Sequence, residues 1–200
     1  WLGSKPLSSR PRIAILGPSP VYHEHWLPSR NDYARLFADG VTFIGWQDVS
    51  DDLSCYDLVL PLLAWGYHQD SERWFALLDR AERENWNLVN PAAVLRWNSD
   101  KSYLLALAQV GVSAPPSMTT PSLDEEDVAI AREKWGERVI VKPLVSGGAD
   151  GTFLLDPSTP LPTEVAGKRM MIQPFLAQIA TEGELSLFYF GGRFSHAICK

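Results

Sequence analysis

The sequence has little cysteine, no excess of positive charge and no long hydrophobic run, and each absence excludes a class of protein. Its two cysteines, Cys55 and Cys199, stand far apart and outside any CxxC pair, so neither a disulfide framework nor a zinc site is predicted. The formal net charge of −6 argues against nucleic acid as the main partner, because a phosphate backbone requires a basic surface. No apolar run approaches the length of a membrane-spanning helix, and no signal peptide is evident. We therefore expect a reducing, cytoplasmic setting with no membrane partner.

The composition is nevertheless that of a chain that folds around a core. Hydrophobic residues make up 46% of the sequence and charged residues 21%, which excludes a disordered chain. A length of 200 residues suffices for one large domain or two small ones. The sequence starts at Trp1 and stops at Lys200, directly after an apolar stretch that is typical of a strand. We therefore expect the sequence to be part of a longer protein.

In the N-terminal part of the chain, short apolar runs alternate with segments of helical periodicity. This alternation predicts a parallel sheet covered by helices on both sides, and such sheets bind ligands at the carboxyl ends of their strands. The predicted strands are 12–17, 41–46, 57–63 and a short fourth strand at 87–90, and the predicted helices are 32–39 and 71–84.

Two histidine-containing segments of this region are candidates for binding. The His-Glu-His segment at 23–25 could hold a metal, but nothing nearby completes a ligand set, so a polar loop is the favoured interpretation. The loop 64–68 follows the third predicted strand and carries two aromatic residues and His68. These side chains either contact a small substrate or cover the core, and the sequence leaves both interpretations open.

The segment 138–155 carries the most distinctive pattern of the chain. An apolar run over 139–141 leads into Lys142, a glycine-rich loop covers 146–152, and a second apolar run follows at 153–155. Glycine lets backbone N–H groups turn toward phosphate oxygens, and a lysine adds a point charge for the same phosphates. Because the lysine precedes the loop and a strand follows it, the pattern is not a Walker A loop. A surface hairpin with a flexible tip is the alternative.

The C-terminal half supplies further parts of a nucleotide site, in order along the chain. A nucleotide needs cations for its phosphates, free backbone groups at a hinge for its adenine, and a carboxylate for its ribose. The chain offers Lys101 and Lys142, then the segment 173–176, then Glu184. The elements predicted around them are a helix through Gln109 that Ser99 or Asp100 caps, and a helix at 125–135 capped by Asp124. They are followed by a strand at 169–176 that leaves its sheet at Pro174, a linker at 177–182, and a hairpin at 184–200 that turns at Gly191 and Gly192.

With these residues the sequence resembles the ATP-grasp superfamily, in the branch of glutathione synthetase, the ribosomal-protein modification enzymes and D-alanine–D-alanine ligase. It is most similar to the cycloserine ligase-like group, through IQPFL and TEGELSLFYFGGRFSHAICK. The resemblance implies an α/β fold in which an N-terminal parallel-sheet domain precedes an α+β lid subdomain and the start of the core. The implied domain boundaries are 12–90, 91–176 and 177–200.

The resemblance also implies roles for individual residues. Lys101 and Lys142 would contact the nucleotide, with Lys142 near the phosphates and the adenine. The mobile loop that closes over the phosphates would be formed by Ser146, Gly147, Gly148, Gly151 and Thr152. The adenine would lie against Gln173 and Pro174 and the backbone of Phe175 and Leu176, and Glu184 would bind the ribose. His196 and Lys200, which share a face of the last predicted strand, either approach the phosphates or a second substrate or are ordinary surface residues.

The implied activity is an ATP-dependent carboxylate–amine ligase acting on small amino-acid-like substrates through an acylphosphate. The implied partners are ATP, Mg²⁺ and the two small-molecule substrates, with oligomerisation possible, and the family's magnesium ligands and catalytic arginine are expected beyond residue 200. No catalytic residue is assigned. Two alternatives stay open, namely a nucleotide-binding module without turnover, and an α/β interaction domain without nucleotide.

Overall fold

In a computed structural model that describes residues 11–18, 23–37 and 40–199, the strands form one parallel sheet, one antiparallel sheet and one hairpin. The mixed α/β class predicted from the sequence is confirmed. The N-terminal elements are β1 Ile13–Gly17, α1 His23–Phe37, β2 Val41–Gly45, a 3-10 helix Trp46–Asp48, β3 Leu58–Leu60 and α2 Ser71–Arg83.

The parallel sheet has the strand order β2-β1-β3, so the first strand lies in the middle. Ile13 pairs with Val41 on one side and with Leu58 on the other. All five residues of β1 are buried, as expected for a parallel strand covered on both faces. The predicted fourth strand at 87–90 is reduced to a single parallel bridge between Val59 and Leu88, because Pro91 already starts the next helix.

Helix α1 corrects two predictions. The segment 23–28, interpreted as a polar loop, is the beginning of a helix that contains Pro28 and continues through the predicted 32–39 helix to Phe37. Trp26, only 5% exposed, packs with Ile13, Ile15 and Leu63 and so anchors the first turns of the helix to the sheet. The side chains of 23–25 lie outside the described residues, as do Asp39 and Lys200.

A tryptophan pair lies at the centre of the N-terminal core. The rings of Trp46 and Trp74 meet edge to face, with centroids 5.7 Å apart. The indole N–H of Trp74 donates to the hydroxyl of Ser99 over 2.9 Å, and that hydroxyl donates to the carbonyl of Leu95 over 2.7 Å. This chain of bonds fastens α2 to the helix that follows it.

The second half of the chain contains α3 Ala92–Ser99, α4 Tyr103–Gln109, β4 Met118–Thr120, α5 Glu125–Trp135, β5 Val139–Pro143, β6 Phe153–Leu155 and β7 Met170–Pro174. The predicted helix through Gln109 is present as α4, but its predicted cap is wrong: Ser99 ends α3, Asp100 forms a break, and Ser102 is the residue before the helix. The prediction for α5 is confirmed, since Asp124 and Asp127 form a reciprocal capping box.

The antiparallel sheet has the order β4-β7-β5-β6, and its core face packs against α5. The predicted linker at 177–182 contains a short helix, α6 Gln178–Glu182, which ends at Gly183. The hairpin β8 Leu185–Phe190 and β9 Arg193–Cys199 turns at Gly191 and Gly192 as predicted, and both glycines have positive φ. Among the described helices, none is long and apolar enough to cross a membrane.

The buried hydrogen bond between Trp74 and Ser99 yields a stability prediction. We expect Ser99→Ala to lower the free energy of unfolding by about 1–3 kcal/mol, because it leaves the buried indole N–H without its acceptor. Urea denaturation of this variant and of Ser158→Ala, the same substitution at an exposed position, would measure it. Equal midpoints for the two variants would contradict the proposed role of the bond.

Candidate functional site

The pairing of β5 with β7 places Lys142 and Gln173 on one face of the antiparallel sheet. Lys142 lies opposite Met171, and Ile140 lies opposite Gln173. Residues directly opposite in an antiparallel pair share a face, and successive residues alternate between faces. Val139 and Val141, both 0% exposed, therefore point to the α5 side with the hydrophobic core. The other face of the sheet is the site face.

Lys101 reaches the site face from the break between α3 and α4. Its backbone N–H donates to the carbonyl of Leu144 over 2.8 Å. Its ammonium group donates to the carbonyl and to the hydroxyl of Ser146, each over 2.7 Å. An ammonium group has three donors, so one remains for a ligand. Lys101 thus fixes the first residue of the glycine-rich loop while retaining a free N–H.

The two lysines and Glu184 are close enough to influence one another's charge. Burial lowers the pKa of Lys101, the positive charge of Lys142 lowers it further, and Asp100 opposes the change. Burial also lowers the pKa of Lys142, against an opposing contribution from the carboxylate of Glu184. The protein thus holds two half-buried cations at one place, an arrangement that an anion between them would stabilise. Three residues that the resemblance assigned to a nucleotide are therefore brought together.

Asp100, the neighbour of Lys101 in the chain, contributes a carboxylate to this arrangement. Burial by itself would raise its pKa, but hydrogen bonds from Ser102 and Arg169 outweigh this effect and the pKa is lowered. The guanidinium of Arg169 lies 2.9 Å from the carboxylate. Asp100 is therefore held as an anion beside Lys101. Because Arg169 directly precedes β7, this ion pair also connects the break at Asp100 to that strand.

The glycine-rich loop is a compact turn. Its internal hydrogen bonds run from Asp150 N–H to the carbonyl of Gly147 over 3.1 Å, and from Thr152 N–H to the carbonyl of Ala149 over 3.0 Å. Gly151 has φ +67°, and a Cβ at this position would lie 2.8 Å from the ring of Pro143. Glycine is required there twice, by backbone conformation and by close approach. The predicted strand–loop–strand hairpin is confirmed, with Val139 opposite Leu155.

The aromatic loop after β3 lies against this glycine-rich loop. The Nε2 atom of His68 is 3.2 Å from a carboxylate oxygen of Asp150. Behind the histidine, the ring of Tyr67 packs between His68 and Trp74. Burial raises the pKa of Tyr67, and the charge interaction with the nearby Tyr103 raises it further. Tyr67 therefore covers the core, as one interpretation held, whereas His68 faces the other half of the molecule.

The groups expected to bind adenine are partly engaged. The amide Nε2 of Gln173 donates to the hydroxyl of Ser117 over 2.7 Å, which leaves its carbonyl oxygen as an acceptor for an amino group. The N–H of Phe175 donates to the carbonyl of Arg138 over 3.1 Å, so its carbonyl is the backbone group left for a ring edge, and the expectation that it binds adenine stays a prediction. In the part of the chain that the structure describes, no residue accepts from the N–H of Leu176.

Three other candidate residues lie at the end of β7, before the hairpin and within the hairpin. Pro174 ends β7 opposite Val139. Glu184 is exposed between α6 and β8. His196 stacks on Phe188, with ring centroids 4.6 Å apart, and its Nδ1 lies 3.0 Å from the hydroxyl of Ser195, so its described contacts stay within the hairpin.

Two cavities of similar volume differ in their chemistry. One of about 500 Å³ borders both loops, and its charged lining residues are the cations Lys168 and Arg169 and the carboxylates Asp150 and Glu164. The other, of about 480 Å³, lies where α2 and α3 meet and is lined by apolar side chains and asparagines, with Glu82 as the charged residue of its lining. The first cavity therefore adjoins the glycine-rich loop, but Lys101, Lys142 and Gln173 are not among its lining residues.

The residues that the structure describes include no cluster of three or more histidine, cysteine, aspartate or glutamate side chains that could hold a metal ion. No magnesium site is therefore assigned within the described ranges.

Comparison with known proteins finds similarity to the same group that the residue pattern resembles. Residues 30–90 match the family model of the N-terminal domain of the D-cycloserine synthetase DcsG. The cycloserine biosynthesis protein DcsG of Streptomyces lavendulae is 27% identical over 168 residues, which are 78% of this chain and 55% of that protein. The chain thus spans about half the length of this curated relative.

Solved structures show the fold. The crystal structure of D-cycloserine synthetase DcsG superposes with a TM-score of 0.76 at 23% identity, over 94% of this chain and 67% of that one. D-alanyl-alanine synthetase A of Vibrio cholerae gives 0.58 at 12% identity, over 92% and 63%. A RimK domain protein, an ATP-grasp protein from Sphaerobacter thermophilus, gives 0.57 at 14%, over 88% and 68%. The predicted resemblance to the ATP-grasp superfamily is confirmed, and the chain has the fold of these proteins.

The contact between Gly151 and Pro143 yields a prediction about the loop. We expect Gly151→Ala to lower the free energy of unfolding by more than the roughly 1–2 kcal/mol of a left-handed alanine, because the new methyl group also meets the proline ring. Gly167→Ala is a matched control, since Gly167 has φ +73° with nothing within 4 Å of a new Cβ. Urea denaturation of both variants measures the difference, and equal losses would show that the close approach does not matter.

Proposed function

We propose that the protein containing this chain is an ATP-dependent ligase that joins the carboxylate of one small amino-acid-like molecule to the amine of another. The convergence of Lys101, Lys142 and Glu184 beside a glycine-rich loop carries the proposal. Two relatives are named as synthetases, of D-cycloserine and of D-alanyl-alanine, which favours small amino-acid-like substrates.

In this proposal ATP lies on the site face of the antiparallel sheet. Its phosphates accept from Lys142, from the remaining donor of Lys101 and from those backbone N–H groups of the loop 146–152 that make no hydrogen bond within the loop. Its adenine amino group donates to the free carbonyl oxygen of Gln173 and to the carbonyl of Phe175, and its ring accepts from the N–H of Leu176. Its ribose hydroxyls donate to Glu184. Each assignment uses a group that the folded chain leaves available.

The proposed chemistry has two steps. A carboxylate oxygen of the first substrate attacks the γ-phosphorus of ATP, which forms an acylphosphate and releases ADP. The amine of the second substrate then attacks the acyl carbon, so that an amide forms, inorganic phosphate leaves and the amine loses a proton. The contribution of the described residues is positioning and neutralisation of phosphate charge by the lysines and the loop. A closed loop also keeps water from the acylphosphate.

Magnesium is the expected companion of ATP in this proposal. Because the described part of the chain offers no carboxylate cluster that fits it, no step is assigned to it here.

Removing one phosphate-binding cation tests the proposal. We expect Lys142→Ala in the full-length protein to raise the Kd for ATP by about 10- to 100-fold, the equivalent of the roughly 1.5–3 kcal/mol of a charge-assisted hydrogen bond. Lys134→Ala, which removes an exposed lysine from α5, is the control and should leave the Kd unchanged. Isothermal titration calorimetry measures both values, and a Kd unaffected by Lys142→Ala would reject the site.

The same preparation separates ligase from binding module. The wild-type protein should release ADP only when a small amino acid is added to ATP, and a panel of amino acids identifies it. ATP binding without ADP release for any carboxylate and amine pair would favour the module, and absence of ATP binding would favour an interaction domain.

The lowered pKa values of the two lysines give a pH dependence with a definite sign. As pH rises, these ammonium groups lose their protons earlier in the free protein than an ordinary lysine does, because both pKa values lie below the ordinary lysine value of about 10.4. Bound phosphate favours the charged form, so ATP binding should take up protons and weaken as pH rises. Calorimetry in two buffers of different ionisation enthalpy measures the proton uptake.

The stability of the nucleotide-free protein should move in the opposite direction. A lysine whose pKa is lower in the folded than in the unfolded chain destabilises the fold at pH values below its folded-state pKa, and this loss of stability disappears as pH rises above that pKa.

ATP binding that releases protons, or that strengthens with pH, would contradict the electrostatic argument for the two lysines.

A further inference from the structure

The glycine-rich loop is held at a second place besides Lys101, by a residue from the other half of the molecule. His68 is 14% exposed at its side chain, whereas Asp150, whose carboxylate lies 3.2 Å from the histidine Nε2, is 62% exposed. The histidine therefore lies beneath the loop, and the aspartate covers it from outside. We refer to His68 and Asp150 as the loop latch.

The backbone of the loop also lies close to the histidine ring at a second position. A Cβ built on Gly147 would lie 3.2 Å from Nδ1 of His68 and 3.5 Å from its Cε1, so glycine leaves the room that the ring occupies. The polar contact at Asp150 and this close approach thus involve loop positions that are three residues apart.

The histidine is supported from behind by the core. Tyr67 meets His68 edge to face at 5.9 Å, and on its other side it packs on Trp74 at 5.6 Å. Trp74 is 3% exposed and is hydrogen-bonded to Ser99. Because this stack continues into the N-terminal core, His68 is a fixed docking point for the loop.

We propose that His68 is a positioning residue that docks the glycine-rich loop in its closed position through the loop latch, before any nucleotide binds. Lys101 holds Ser146 at the start of the loop, and the latch holds Gly147 and Asp150 further along it. The two anchors come from different segments, so closure requires the aromatic loop after β3 as well as the nucleotide lysines. The consequence for the reaction rests on the proposed function: a latched loop shields the acylphosphate and forms one wall of the cavity of about 500 Å³.

The latch is tested by backbone hydrogen exchange across residues 146–152 of the full-length protein without nucleotide. We expect His68→Leu, which keeps bulk but removes the polar contact, and Asp150→Asn, which removes the charge at an exposed position, each to speed exchange by about 3- to 10-fold. The double variant should add little to either single variant, because both remove the same interaction.

Two further variants separate the latch from general structural damage. His68→Gln retains a side-chain donor and should restore much of the protection. Asp32→Asn removes the charge of another exposed ion pair, that of Asp32 with Arg35 on α1, and should leave exchange in the loop unchanged. Loop exchange that is unaffected by both His68→Leu and Asp150→Asn, in variants whose Tm is close to that of the wild type, would overturn the proposal.

The outcomes for the latch and for the proposed function are distinguishable, because the exchange measurement contains no nucleotide. If the wild-type protein fails to bind ATP but the latch variants speed exchange, the proposed function fails and the latch stands. If the wild-type protein binds ATP and the variants exchange like the wild type, the latch fails and the proposed function stands.

Discussion

The hydrogen bonds from the ammonium group of Lys101 to Ser146 are the interaction on which the arrangement of the site depends. They join the break between α3 and α4 to the start of the glycine-rich loop, over 2.7 Å to each of two oxygen atoms. Without them this break would be joined to the segment before the loop through the bond from the Lys101 N–H to the carbonyl of Leu144. Because Lys101 is half-buried beside a second lysine, the protein keeps this cation at an electrostatic cost. Such a cost is reasonable where an anionic ligand offsets it.

The parallel and antiparallel sheets contribute differently to this arrangement. The antiparallel sheet supplies geometry, since its pairing puts Lys142 and Gln173 on one face and leaves the other to the core. The half of the chain that contains the parallel sheet supports the glycine-rich loop, because Trp74 on α2 and Tyr67 stack behind His68, which contacts the loop. The site therefore takes residues from both halves of the chain, as is common for ligand sites at such junctions.

Local patterns in the sequence predicted the local features well. The strand–loop–strand hairpin, the capping box at Asp124 and the two-glycine turn each follow from residues within a few positions of one another. The resemblance also selected Lys101, Lys142 and Glu184, which the fold brings together, although their roles toward a nucleotide remain predictions, as do the domain boundaries at 90 and 176.

The features that the sequence did not reveal depend on distant contacts. Helix α1 includes the His-Glu-His segment and Pro28, and Trp26 is buried against β1, whereas the polar segment by itself favoured a loop. The break at Asp100 directly follows Ser99, whose hydroxyl accepts a hydrogen bond from the distant Trp74. The N–H of Phe175 is used by Arg138, which no local pattern indicates. His68 was visible as a candidate, but its partner Asp150 lies in another sheet's loop. Such pairs can be identified only when the strand order of both sheets is known.

The register between β5 and β7 also limits how this chain can change in length. A single residue inserted or deleted within either strand would reverse the faces of all the side chains beyond it, and Lys142 or Gln173 would then point into the core beside α5. The stretch between β6 and β7 is under no such restriction, because much of it is exposed and it carries three prolines in irregular backbone. Length differences among related proteins should therefore collect in that connection, while the residue count from Val139 to Pro143 and from Met170 to Pro174 stays fixed.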